Sequence, residues 1–241
     1  MNNSVQAIPL NHLAIAFIPV LMVLILFIRW NLATKKASYA LLRMLGQLLL
    51  IGYFLNYLFT SESAYSLLAV LMVMIVCSSW IALEVVGHKL RRQFLISTII
   101  SIFIGGGLLL AIITQGVLQL EPWYEPRYLI PLGGMVFANA MNSISLAAER
   151  FISEINREQS YLAARNTAFN AAMIPVINSL FAVGLVSLPG MMTGQILSGI
   201  SPFIAARYQI MIMCMIFASA GIATAFFLNL IKKEFVLTNN S

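Results

Sequence analysis

The stretch Ala205-Ala-Arg-Tyr-Gln-Ile-Met-Ile-Met-Cys-Met-Ile-Phe-Ala-Ser-Ala-Gly-Ile-Ala-Thr-Ala-Phe-Phe-Leu-Asn-Leu-Ile231 carries one charge, Arg207, and is followed at once by Lys232-Lys233. A membrane's hydrocarbon core needs about 20 apolar residues of helix. The run is long enough to cross, and the paired lysines mark the face where it stops. Working back toward the N-terminus, comparable runs lie at about 10–30, 41–59, 65–83, 94–113, 128–148 and 170–197. The whole chain agrees with this reading. Its 241 residues are 61% hydrophobic and 9% charged, with a mean hydropathy of +0.92. A soluble domain has roughly 25% charged residues, so this sequence cannot cover a water-facing surface. The expected fold is all-α: a polytopic helical bundle forming a single transmembrane domain over 1–241, with about seven spans.

Orientation follows from the basic residues. No basic segment precedes the first run, whereas Arg29, Lys35 and Lys36 follow it, which is the reverse of a cleavable signal peptide. With the N-terminus outside, Arg29, Lys35, Lys36, Arg43, Lys89, Arg91, Arg92, Arg150, Arg157, Arg165, Lys232 and Lys233 fall inside, while Arg127 and Arg207 fall outside. An odd span count keeps the positive-inside rule; an even one breaks it. The expectation is N-out and C-in. The formal charge of +6, with eight Glu and no Asp, is then a topology signal and not a nucleic-acid footprint.

Three segments stand out. Pro19 is expected to kink the first run. Residues 149–167 are the long polar stretch, and Phe151, Ile152, Ile155 and Leu162 fall near helical spacing within it, suggesting an amphipathic helix at the membrane surface. The apolar run from about Ala168 to Leu197 would make about 45 Å of helix, more than the membrane core. It is expected to break at Pro189-Gly190.

Several chemistries are excluded. There is no G-x-x-x-x-G-K-[ST] phosphate loop, and without Asp there is no aspartyl-phosphate intermediate. His12 and His88 lie near opposite membrane faces, and Cys77 and Cys214 have no metal spacing. The chain is read as a non-enzyme with no cofactor of its own. Polar groups within spans, Arg43, Gln47, Asn56, Asn139, Asn142, Ser143, Ser145, Asn178, Ser179, Thr193 and Gln195, serve either helix–helix hydrogen bonding or a translocation path. The 13 methionines, Met191-Met192 and Met211, Met213 and Met215 among them, suit packing, although thioethers are also soft-metal ligands. A Pro-Gly break at membrane depth is tolerated where it is buried or lines a cavity, and broken helices often mark transporter substrate sites.

The run Gly184-Leu-Val-Ser-Leu-Pro189-Gly190-Met191-Met192-Thr-Gly194, followed by Ser201-Pro202 and Tyr208-Gln209-Ile210, resembles the FetB (YbbM) family of ABC-transporter membrane subunits. Arg43, Gln47, Gly52-Tyr53 and Tyr57, with Pro131, Gly134-Met135 and Asn139-Ala140-Met141, extend the likeness over roughly 40–231. The resemblance implies an inner-membrane, multi-pass permease subunit for iron export or metal tolerance, related to plant aluminium-tolerance proteins. It implies a separate ABC ATPase subunit that binds ATP, and a homodimer set in membrane lipid. The expected path residues are Asn139, Asn142, Asn178, Pro189, Gly190, Met191, Met192 and Gln195. Arg150, Glu154, Arg157 and Arg165 are expected to couple to the ATPase, and no metal ligands are assigned. The segment 149–170 departs from the family pattern, being shorter and lacking a Leu-Gly-Ala-type turn. An autonomous carrier or channel, or a non-transporting scaffold, is the alternative.

Overall fold

Charge-poor runs of this length leave the backbone one way to satisfy its hydrogen bonds in lipid, and the chain takes it. The computed structural model describes residues 9–59 and 63–239, and among these the secondary structure is helical apart from one isolated bridge, Val183 to Ser187. Residues 60–62 and the side chains of Tyr53, Asn56, Tyr57 and Lys233 lie outside the described residues. The chain divides into two compact units, residues 1–62 and 63–241.

The first unit holds α1 (Leu10–Ile15), α2 (Phe17–Arg29) and α3 (Thr34–Phe59). The interruption at Ala16 fits Pro19, which lacks an N–H and whose ring crowds the carbonyl four residues back, at Ile15. No side chain of α2 is buried, so its apolar surface faces outward all round.

The second unit comprises α4 (Ala64–Ala82), a 3-10 turn (Leu83–Val85), α5 (His88–Ile102), α6 (Leu109–Ile112), α7 (Pro126–Ile155), α8 (Tyr161–Ala182), α9 (Gly190–Leu197) and α10 (Pro202–Asn239). Two π-helical segments, Phe103–Leu108 and Ile113–Val117, join α5 to α6 and extend α6. Starts follow local chemistry. Pro126 and Pro202 open α7 and α10, where a missing N–H costs nothing. The Ser160 side chain accepts from the Ala163 amide at the start of α8.

Among the described residues, five helical stretches are long and apolar enough to cross a membrane: Asn11–Arg29, Ala64–Val85, His88–Val117, Pro126–Ile155 and Pro202–Lys232. The chain is a multi-pass helical membrane protein. Helices α3 and α8, at 26 and 22 residues, have the length but carry more polar side chains.

Three boundaries differ from the sequence reading. Residues 149–155 form no separate surface helix; they continue α7, with Phe151 1% exposed and Glu154 buried. The span expected at 170–197 begins instead at Tyr161 and ends at Ala182, and the break occupies residues 183–189. Pro189 precedes α9 as its N-cap residue, with extended φ and ψ, so it interrupts no running helix. Helix α9, about 12 Å long by its eight residues, is too short to cross.

Packing centres on α7, α8 and α10. Helices in lipid associate through small residues that let backbones approach. On α8, Ala164, Ala168 and Ala172 recur every fourth residue and are fully buried; on α10, Ala220 and Ala223 are too. The glycines of the first π-helical segment act likewise. A Cβ on Gly105 would stand 2.5 Å from the Ala223 amide nitrogen, and one on Gly106 2.9 Å from the Phe137 ring. Phe94 and Phe227 meet edge to face, centroids 6.2 Å apart. The buried hydroxyls of Ser79, Thr98, Ser101 and Thr114 donate to carbonyls four residues back on their own helices. They are satisfied locally and offer no polar path.

Candidate functional site

Two places concentrate polar chemistry in the second unit. The first is the C-terminal end of α7, where a helix leaving an apolar environment must neutralise its charges. Arg150 Nη2 lies 2.7 Å from Glu154 Oε1, and Arg157 Nη1 lies 3.6 Å from the same oxygen. Glu154 is thus held between two guanidinium groups, and Arg157 is 65% exposed. The chain turns through residues 156–160, with Glu158 at φ +60°, and re-enters α8 at Tyr161. Tyr161 fastens this end. Its hydroxyl donates to the Leu228 carbonyl at 2.6 Å, its ring meets Phe151 edge to face, and the Lys232 ammonium lies 5.3 Å from its centroid. Of the four coupling residues expected from sequence, Arg150, Glu154 and Arg157 come together. Arg165 stands apart on α8, where it donates to Asn166 Oδ1 and lines a polar cavity of about 440 Å³ with Asn170 and Asn229.

The second place is the break between α8 and α9. Its amides are satisfied within the turn: the Val186 and Ser187 amides donate to the Ala182 carbonyl, and the Gly184 amide donates to the Ser187 carbonyl. Gly184 makes this possible at φ +85°, where a side chain would be strained. The turn's tip, Leu185 and Val186, is exposed.

Between this turn, α9 and α10 lies an apolar cavity of about 370 Å³. Of the eight expected path residues, Met192 lines it. Asn139 donates to the Met135 carbonyl on its own helix at 2.8 Å, and Asn142 and Asn178 are exposed. Pro189, Gly190 and Met191 belong to the start of α9, and Gln195, farther along it, has a buried Oε1 without a partner. Gln209, Met213 and Cys214, named from the sequence but not assigned to the path, line the same cavity from α10. The available signal was Gln209 four residues before Met213, one polar group repeating on the face of an apolar helix.

The profile of the Uncharacterised protein family (UPF0014) matches residues 10–236. The chain belongs to this family. It is 34% identical to the UPF0014 membrane protein slr1647 of Synechocystis, across 82% of this chain and 88% of the relative. It is also 34% identical to the "Probable iron export permease protein FetB" of Escherichia coli, across 89% of this chain and 87% of that one. Protein ALUMINUM SENSITIVE 3 of Arabidopsis thaliana is 28% identical, across 88% and 81%. No solved structure matches the chain.

Proposed function

We propose that this chain is the membrane-spanning permease subunit of an ABC-type metal exporter. It works as a homodimer in the cell inner membrane, energised by a separate ATPase subunit that binds the ATP. Iron is the cargo suggested by the E. coli relative's name. The permease crosses the membrane seven times, N-out and C-in, with α3 and α8 completing the five strongly apolar spans.

The observation that carries this reading is the Arg150–Glu154–Arg157 cluster at the end of α7. Under the N-out scheme it faces the cytoplasm, and the contact between Tyr161 and Lys232 puts the basic end of α10 on the same side. The buried carboxylate pairs with Arg150, and the exposed Arg157 stands beside them, so the cluster presents positive charge at the end of α7. A chain without a nucleotide-binding loop has a use for such a cluster: a driving subunit can push on it. The family membership supports transport.

Co-purification tests it. The tagged permease is expected to bring down the ATPase encoded by a neighbouring gene, and Arg157→Glu is expected to release that ATPase while the permease still inserts. If no ATPase associates and metal still crosses, the chain is an autonomous carrier. If nothing crosses, it is a scaffold.

A further inference from the structure

Between α8 and α10 lies the polar cavity of about 440 Å³, which the transport reading leaves unused. Arg165, Asn166 and Asn170 line it from α8 and Asn229 from α10, with Phe169 and Leu228 in its apolar wall. Asn166 and Asn170 are four residues apart and so share a helix face. Polar side chains are costly in a membrane-spanning bundle unless they meet partners or a polar space. Here one guanidinium and three amides, drawn from two helices, converge on one space. Among the described residues, the side-chain amides of Asn170 and Asn229 make no hydrogen bond to protein.

The positive charge in this cavity is not cancelled from within. Arg165 donates through Nε at 3.2 Å and Nη2 at 2.9 Å to Asn166 Oδ1, a neutral acceptor. Among the described residues no carboxylate pairs with it, unlike Arg150, which stands 2.7 Å from Glu154. No Glu lines the cavity or sits in the first turn of α8, so nothing there offsets the positive end of that helix. A metal cation would meet like charge and no anionic oxygen. An anion fits: a guanidinium fork matches phosphate oxygens, and amide N–H groups donate to them.

Position selects among anions. The Tyr161 hydroxyl bonds the Leu228 carbonyl, and the Lys232 ammonium lies 5.3 Å from the Tyr161 ring. The start of α8 therefore meets α10 where its apolar stretch ends, at Lys232. That is headgroup level, where aromatic and basic side chains gather and basic pockets between helices take anionic lipid head groups. Phe169 and Leu228 give the apolar wall that the carbon part of a lipid requires.

We propose that this cavity holds the phosphate of an anionic phospholipid, ion-paired to Arg165 and hydrogen-bonded by the amides of Asn170 and Asn229. A phosphodiester brings one negative charge against Arg165, with Lys232 close to the same end of α8. A zwitterionic lipid brings its own cation into this positive space and binds less well. The site rests on the membrane fold and not on the export mechanism, so its failure leaves the exporter reading standing.

The test is titration of the purified, delipidated full-length protein in neutral detergent, read by native mass spectrometry. The probes are dioleoylphosphatidylglycerol and dioleoylphosphatidylcholine. One phosphatidylglycerol should bind per chain, more tightly than phosphatidylcholine. Arg165→Gln should weaken it by about fivefold, the equivalent of about 1 kcal/mol for one basic residue at a lipid surface. Lys89→Gln removes the same charge from the exposed start of α5 and should leave the affinity unchanged. Asn229→Leu keeps the charge and should still weaken binding, which a merely basic surface would not show. Should these variants fail to fold, the wild-type protein decides: phosphatidylglycerol should slow modification of Arg165 by phenylglyoxal, whereas phosphatidylcholine and inorganic phosphate should not. Four results overturn the proposal: equal binding of the two lipids, unchanged affinity in Arg165→Gln or Asn229→Leu, an equal loss in Lys89→Gln, or protection by inorganic phosphate matching that by phosphatidylglycerol.

Discussion

The Tyr161 hydroxyl donates to the Leu228 carbonyl across 67 residues of sequence, at 2.6 Å. This bond ties the first turn of α8 to the C-terminal third of α10, and the ring contact with Phe151 ties it to α7. Tyr161→Phe keeps the ring contact with Phe151 and removes only the hydrogen bond. The expected loss is about 1 kcal/mol, read as a lower midpoint in thermal unfolding of the detergent-solubilised protein.

Gly105 and Gly134 make a matched pair. A Cβ at Gly105 meets the Ala223 backbone at 2.5 Å, where nothing can yield; at Gly134 the nearest atom is the Met74 methyl carbon, 3.6 Å away. Gly105→Ala should destabilise by about 1–3 kcal/mol through overpacking, and Gly134→Ala should be close to neutral. Thermal unfolding of the two variants separates them.

The break predicts a second contrast. Helix α8 has already ended at Ala182, seven residues before Pro189, so Pro189→Ala should leave the turn in place and change stability little. Gly184→Ala forces a side chain into φ +85° and should cost on the order of 1–2 kcal/mol. Limited proteolysis at the exposed Leu185–Val186 tip should increase in Gly184→Ala and stay at the wild-type level in Pro189→Ala.

What the sequence shows plainly is whatever depends on long apolar runs: the membrane class, the helical fold, and the approximate cores of most spans. Boundaries that depend on competition between charge and packing are less visible. The polar stretch after Ala148 looks like a surface segment because Arg150 and Glu154 are charged. Their mutual pairing is what lets α7 carry on to Ile155. The break is misplaced for a similar reason: proline is a conspicuous marker, whereas the chain leaves the helix at Val183 and turns on Gly184. Gln209, Met213 and Cys214 are visible in the sequence one by one, but their common cavity with Met192 is not, because only the fold of α9 against α10 brings them together.

Transport in sealed vesicles tests the central claim most directly. The permease is reconstituted with the ATPase from its gene neighbourhood, oriented so that the Arg150–Glu154–Arg157 face meets added ATP, with metal ion on that side. ATP should drive metal into the vesicle lumen, and Arg157→Glu should abolish that uptake at equal inserted protein. Metal movement that is the same with and without ATP, or no movement beyond protein-free vesicles, would contradict the account.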